Sequence, residues 1–343
     1  MTLYSSTKYD DGRKTVTLLG GLLKKVSTDR RRRFYLAGVK IMSLPRGDSS
    51  RRKHKASPHE ILRELKELRQ ELCSFRIAQN NALVVAAQHQ KIFPQYRDIN
   101  KGGTAVIVAT GPTMAHYTPL PHVVHIGVNA AFLRKNIPLD YLFFSDFHPI
   151  HNDLDELRET TCPKFFAQCA DPLSMKTRFV MNSNHDVVKA LPSYLKEFPN
   201  SQLVYFKYVH DFPRNIEVEA LPNYSTCVTM TLAFALHTGV KKIYIVGCDT
   251  TPNGHFNGVP CDRDFNTQSL INGWLKFSDF RRFYYPDVEI ISVNPIGLKG
   301  LFTDVYTESY LSQHPEIDKN TVTILRADEL ANANVAVSEN DEN

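Results

Sequence analysis

"GTAVIVATGPTMAHY", Gly103 to Tyr117, is the stretch on which the reading of the chain turns. Thr104 to Ala109 is almost wholly β-branched or small and apolar, the composition of a strand buried on both faces. Gly111-Pro112 interrupts it, and the residues from Pro112 restart as a short helix. A glycine directly after a buried strand lets the backbone approach a ligand closely, and N–H groups at a helix start favour an anion such as a nucleotide phosphate. A strand–turn–helix corner that binds nothing reads the same way. The turn is neither a Gly-x-Gly-x-x-Gly fingerprint nor a phosphate loop with its Lys-Ser/Thr pair. The rest of the chain has to decide.

From Gly103 onward strand and helix patterns alternate. Strands are expected at Thr104–Ala109, Val123–Val128, Tyr141–Ser145, Lys164–Gln168, Gln202–Tyr205, Lys242–Val246 and Glu289–Val293. Helices are expected at Ala130–Lys135, Asp153–Glu159, Asp186–Glu197, Thr226–Thr238 and Thr267–Tyr284. Such alternation predicts an α/β fold, a mostly parallel, Rossmann-like sheet with helices on both faces. Ligands of these sheets sit beyond the carboxyl ends of the strands. That rule makes a shortlist of Gly111-Pro112-Thr113, Asn129, Ser145-Asp146 and Gly247-Cys248-Asp249. Four strand ends carrying small or polar residues after apolar strands point to one polar pocket.

Before this domain (103–305) come a basic arm (1–55) and a helical region (56–102). The arm reads as one hairpin, Thr15 to Val26 and Arg33 to Met42. In the helical region Ser57 caps, Pro58 opens and Glu60 completes a capping box; Ile61, Leu62, Leu65, Leu68 and Leu72 keep helical spacing. The pattern runs on through Gln90 as one helix, or as two with a break near Asn80-Asn81. Residues 306–343 form a C-terminal segment ending in the acidic, solvated "VAVSENDEN".

The net charge of +5 conceals an asymmetry. Residues 1–55 hold 15 Lys and Arg against 4 Asp and Glu, densest at "RRRRF" (Arg30 to Phe34) and "RRKHK" (Arg51 to Lys55). With apolar "TVTLLGGLLKKV" and "FYLAGVKIM" beside them, these clusters suit an anionic membrane surface; a solvated basic arm is the alternative. No nucleic-acid-binding module accompanies the charge, so nucleic acid is not an expected partner. No apolar run approaches the roughly 18 residues of a spanning helix. The six cysteines are scattered and no signal peptide is evident, which favours a reducing, cytoplasmic setting.

Four blocks together resemble the bacterial sialyltransferase-like glycosyltransferases: "VIVATGPT" (Val106 to Thr113), "VHIGVNAAF" (Val124 to Phe132), "LDYLFFSD" (Leu139 to Asp146) and "YSTCVTMTLAFALHTGVKKIYIVGCD" (Tyr224 to Asp249). A wider related group, the flagellin-modifying motility-associated factors and the 6-hydroxymethylpterin pyrophosphokinases, is similar too. The resemblance implies a variant of the GT-A-like nucleotide-sugar fold. It also implies that Gly111, Pro112 and Thr113 hold the phosphate and ribose of a nucleotide and that Asn129 binds the nucleotide or its sugar. Ser145-Asp146 would stand at a nucleotide-contacting position, and Ser225 and Thr226 would meet the donor. A carboxylate at Asp249 can orient a ribose diol or a metal.

Two features of the family are missing. Its pair of tyrosines after the Gly-x-Asp block is replaced by "TTPNGHFNG" (Thr250 to Gly258), and its general-base histidine is absent from "NTQSLING" (Asn266 to Gly273). His255, on a Gly-flanked loop, is the nearest substitute base, with Asp249 beside it as the second catalytic candidate. Without the tyrosines, Mg²⁺ on Asp146 or Asp249 becomes a candidate to neutralise the leaving phosphate, although no cofactor is certain. The acidic triplets Asp153–Asp155 and Asp262–Asp264, and "HPIH" (His148 to His151), read more simply as solvated segments. The expectation is a glycosyltransferase moving a sugar from a CMP-linked donor to a surface glycan such as lipopolysaccharide or capsule, with the arm at the inner face of the cytoplasmic membrane. The alternatives are an ATP-dependent pyrophosphokinase and a nucleotide-binding protein without catalysis.

Overall fold

The structure, a computed structural model, describes residues 4–10, 13–18, 23–28, 31–36, 39–45, 58–145, 153–170, 193–208, 212–224, 226–260 and 267–326. The chain divides into two compact units, Met1–Cys73 and Ser74–Asn343.

In the first unit, β1 (Tyr4–Lys8), β2 (Lys14–Leu18), β3 (Leu23–Ser27), β4 (Arg31–Leu36) and β5 (Val39–Pro45) form an antiparallel sheet in chain order. This corrects the expected single hairpin. Gly20-Gly21 and Ala37-Gly38 fall between paired strands, so each stretch read as one strand is itself a hairpin. Lys25 lies opposite Phe34 in register and holds its ammonium 5.6 Å from the ring centroid. α1 (Pro58–His89) is one unbroken helix through Asn80-Asn81. Its expected cap, Ser57, lies outside the described residues.

The second unit is built on a ten-stranded parallel sheet. Its strands are β6 (Thr104–Val108), β7 (Val124–Val128), β8 (Tyr141–Phe144), β9 (Lys164–Cys169) and β10 (Ser201–Lys207). There follow β11 (Leu221–Pro222), β12 (Lys242–Val246), β13 (Glu289–Val293), β14 (Thr303–Tyr306) and β15 (Thr323–Ile324). The spatial order is β11-β10-β9-β8-β7-β6-β12-β13-β14-β15. Helices α2 (Leu154–Arg158), α3 (Val228–His237), α4 (Thr267–Tyr284) and α5 (Glu308–Gln313) flank it.

Both faces of the central strands are covered, which is why these strands read as continuous apolar runs. Ala105 and Ile107 of β6 join Phe234 of α3 and Trp274 and Phe277 of α4 in one core. Val106 and Val108 pack on the other side with Met114 and Tyr117. α3 is buried along nearly its whole length, as a helix apolar on every side requires. Phe143 and Phe165 stack beneath it with centroids 4.4 Å apart.

One expected helix needs correction, and two other expectations meet the structure only in part. The helix expected at Ala130–Lys135 is a single 3-10 turn, Asn129–Leu133. Of the one expected at Asp186–Glu197, only residues 193–197 are described, as helix. The end of the domain set at residue 305 falls inside β14, because the C-terminal segment continues the sheet with two short strands. The helical region also enters the core: Ile92 and Phe93 are fully buried in it. His89, the last residue of α1, is fully buried and bonded on both ring nitrogens. Its Nε2 accepts the Tyr205 N–H (2.8 Å), so its Nδ1 donates to the carbonyls of Ile216 (2.8 Å) and Glu219 (3.0 Å). Burial holds the imidazole pKa down at about 4.

Candidate functional site

The strand order places a topological switch at β6. From β6 the chain steps outward through β7, β8, β9, β10 and β11, then returns by α3 to β12 on the other side of β6. Ligands of open α/β sheets bind at such a point, beyond the carboxyl ends of the strands. Here the ends of β8, β7, β6 and β12 lie side by side, carrying Ser145, Asn129, Thr110-Gly111 and Gly247-Cys248-Asp249. The four strand ends expected to share one edge do share it.

β6 and β12 stay bonded past their ends: Ala109 N–H donates to the Val246 carbonyl and Gly111 N–H to the Gly247 carbonyl, each at 2.8 Å. A Cβ on Gly111 would stand 2.5 Å from the Gly247 oxygen and 2.7 Å from Cγ of Asp249. The glycine therefore makes room for the chain's own backbone. The helix expected after it is one 3-10 turn, Pro112–His116. Thr113 donates its N–H to Asp249 Oδ2 (2.9 Å) and its hydroxyl to Asp249 Oδ1, and Met114 N–H bonds the Gly111 carbonyl (3.1 Å). Pro112 has no N–H. Every amide from Gly111 to Met114 is thus engaged within the turn, whereas a phosphate cradle at Gly111, Pro112 and Thr113 was expected to offer free ones.

Asp249 is 4 % exposed. Its burial raises the carboxyl pKa, against the two Thr113 bonds, which lower it. One oxygen is bonded to each Thr113 donor, so the carboxylate the sequence offered as a ribose or metal ligand already serves a partner within the fold. It acts as a clamp that fixes the turn after β6. Asp146, Ser225, His148–His151 and Asp262–Asp264 lie outside the described residues. Among the described residues no cluster of three or more His, Cys, Asp or Glu could hold a metal. Asp155 is exposed and pairs with Arg158, as a solvated triplet should.

His255 comes to the same edge. The loop after β12 folds back so that Phe256 N–H donates to the Thr110 carbonyl (2.8 Å), and His255 N–H to that of Val259 (2.8 Å). The half-buried His255 ring then shares a 2.9 Å hydrogen bond between Nδ1 and Thr110 Oγ1. Nδ1 is engaged, and Nε2 is the nitrogen left for a reactant. Asn129 takes a left-handed backbone conformation (φ 47°), which its short amide tolerates, and its Oδ1 accepts the Ser145 N–H (3.2 Å). Thr226 precedes α3, where its hydroxyl accepts the Val228 N–H (3.3 Å). Cys227 Sγ lies 3.7 Å from the Phe143 carbonyl, which sets the start of α3 against β8.

Two features escaped the sequence reading. Thr110, which holds the His255 ring, sits between the strand's end at Ala109 and Gly111, where no motif marks it. The second is a groove of about 570 Å³ lined by His116, Thr118, Thr307, Ser309 and Arg326. His116 ends the turn that Asp249 clamps and meets Ser309 Oγ at 3.2 Å. Burial, and after it the neighbouring His314, hold its imidazole below the ordinary pKa.

No protein-family model matches the chain, and no curated protein sequence matches it. Among solved structures, the chain is similar to the sialyltransferase CstII from Campylobacter jejuni in complex with cytidine-5'-monophosphate. That alignment has 14 % identity and a TM-score of 0.34 and covers 56 % of this chain and 80 % of CstII. A second CstII structure, in complex with CMP-3FNeuAc, gives 14 % identity and a TM-score of 0.30 over 59 % of this chain and 84 % of the other. Among the described residues no helix is long and apolar enough to cross a membrane.

Proposed function

We propose that this chain is a glycosyltransferase that moves a sugar from a CMP-linked donor to a hydroxyl of a surface glycan, and that His255 is its base. The observation that carries the reading is the His255–Thr110 bond at the β6–β12 switch, where an imidazole is fixed by one nitrogen with the other available. The motif resemblance to the sialyltransferase-like enzymes supports the donor class. In the proposed step, the acceptor oxygen bonds to the anomeric carbon as its bond to the phosphate breaks. The acceptor's proton passes to His255 Nε2, and CMP leaves with the bonding electrons.

The donor would be held by side chains, since the amides at Gly111–Met114 are engaged. Asn129 and Ser145 on the neighbouring strand ends and Thr226 before α3 are the groups we assign to it, with Ser225 and Asp146 as further donor contacts. We assign the groove beside His116 to the acceptor; its volume is that of a small-ligand site. Mg²⁺ at Asp146 would supply charge neutralisation to the departing phosphate. The basic first unit would bring the enzyme to an anionic membrane face, where lipid-linked glycans are found.

Thermal melts with CMP, CDP, UDP, GDP and ATP, each with and without Mg²⁺, test the donor class. A ligand at 100 times its Kd adds about 2.7 kcal/mol to stability. CMP should raise the melting temperature by a few degrees. Protection by ATP with Mg²⁺ alone would replace the proposal with the pyrophosphokinase reading, and protection by none would remove the nucleotide site.

A further inference from the structure

The face of α1 that runs through Leu65, Leu68, Leu72 and Phe75 is apolar and unpartnered among the described residues. These four side chains are 60 %, 42 %, 45 % and 45 % exposed. Every residue from Leu62 to Asn80 is exposed, so among the described residues this stretch of α1 contributes to no core. Isolated leucines on a surface need no explanation, but this set has a period. The spacings of 3, 4 and 3 are those of alternating a and d positions in a heptad. In sequence the pattern extends to Ile61 at one end and, through a polar Gln79, to Ala82 at the other. Three heptads of a helix span about 30 Å.

The flanking charges say what covers the seam. With Leu65 and Leu72 at a and Leu68 and Phe75 at d, the g positions are Glu64 and Glu71 and the e positions are Arg69 and Arg76. In a parallel, in-register pair each g residue faces the e residue of the partner's next heptad. Glu64 then meets Arg69 of the second copy and Glu71 meets Arg76, so all four such pairs across the dimer are attractive. An antiparallel pair would instead set g against g and e against e, bringing Glu to Glu and Arg to Arg. The ion pair Arg63–Glu67, at 3.8 Å, lies on f and c, away from the seam. Gln79 at an a position is the kind of single polar residue that fixes register.

We propose that α1 forms a parallel, in-register two-stranded coiled coil with a second copy of this chain. The partner is identified by charge: a helix carrying Glu at g and Arg at e complements itself only in that orientation.

Sedimentation equilibrium on the full chain at tens of micromolar should give twice the 39.1 kDa of one chain. The Leu68→Glu, Leu72→Glu double variant alters only exposed positions and should sediment as a folded monomer with unchanged near-ultraviolet dichroism. Orientation is read in two ways. Leu65→Cys, in a Cys73→Ser background, should oxidise to a disulfide-linked dimer, because parallel pairing brings residue 65 to itself. A chain with Arg69→Glu and Arg76→Glu and another with Glu64→Arg and Glu71→Arg should each self-associate at least tenfold more weakly, yet pair with one another when mixed. A monomeric wild type, a dimer unaffected by Leu68→Glu and Leu72→Glu, a trimer, or charge variants that fail to pair would each overturn the proposal.

Discussion

Thr113 gives both its amide and its hydroxyl to the carboxylate of Asp249, tying the turn after β6 to the end of β12. Both residues are buried. Removing the carboxylate leaves a buried N–H and a buried hydroxyl without acceptors, at a cost of about 1–3 kcal/mol each at most. Asp249→Ala should therefore lower stability in urea by roughly 2–4 kcal/mol. Asp249→Asn, which keeps one acceptor, should lose less. Equal midpoints for Asp249→Ala and wild type would remove the clamp.

Gly111 should be intolerant of any side chain for reasons internal to the fold. A Cβ there would stand 2.5 Å from the Gly247 carbonyl oxygen, a backbone atom that cannot swing aside. Gly111→Ala should cost about 1–3 kcal/mol, the range for overpacking a tight core. Urea unfolding without ligand checks it. A Gly111→Ala chain of wild-type stability that had lost nucleotide protection would show instead that the glycine faces a ligand.

His89 makes stability fall on the acid side. Its folded pKa, about 4, lies below the ordinary histidine value near 6.5 because burial penalises the charged ring. Between those values the unfolded chain holds the extra proton, so the stabilisation is complete above about pH 6.5 and is lost as pH falls toward 4. The loss should total roughly 3 kcal/mol. Protonation would also turn Nε2 from the acceptor of the Tyr205 N–H into a competing donor. Urea midpoints from pH 7.5 to 4.5 should slope more steeply for wild type than for His89→Gln; parallel slopes would show that His89 titrates normally.

Arg31, Arg32 and Arg33 are exposed along β4 and mark the basic surface of the first unit. Each basic residue near an anionic bilayer contributes about 1 kcal/mol, so replacing all three with Gln should weaken vesicle binding roughly 100-fold. Co-sedimentation with phosphatidylserine vesicles at low salt measures it, and added salt should weaken wild-type binding too. Unchanged binding by the triple variant would move the membrane contact elsewhere or abolish it.

How much of this was legible beforehand depended on length and locality. β12 and β13 are apolar runs whose ends could be read to the residue, and α4 keeps its period from Thr267 to Tyr284. β11 and β15 have two residues each, too few for any period, and so went unseen. The site was legible as a set of strand ends, because each end is announced by a polar or small residue after an apolar run. Their mutual contacts were not. Whether Gly111 makes room for a ligand or for Gly247, and whether Asp249 faces solvent or Thr113, depends on β6 and β12 being neighbours. Nothing within either segment encodes that. The first sheet was obscured by lysines and arginines scattered through its strands, which break the alternation that would have revealed them.

The most direct test of the account is the release of CMP from a CMP-activated sialic acid, followed by chromatography with wild type and His255→Ala side by side. The account predicts turnover by the wild type in the presence of a glycan acceptor. It predicts a fall in kcat of about 10²–10⁴-fold in His255→Ala, the contribution of a positioned general base, with the affinity for CMP little changed. Thr110→Val, which removes only the hydroxyl that holds the ring, should fall between the two. Wild-type turnover retained in His255→Ala would contradict the assignment of the base, and a wild type that binds CMP but releases none from the donor would contradict the transferase itself.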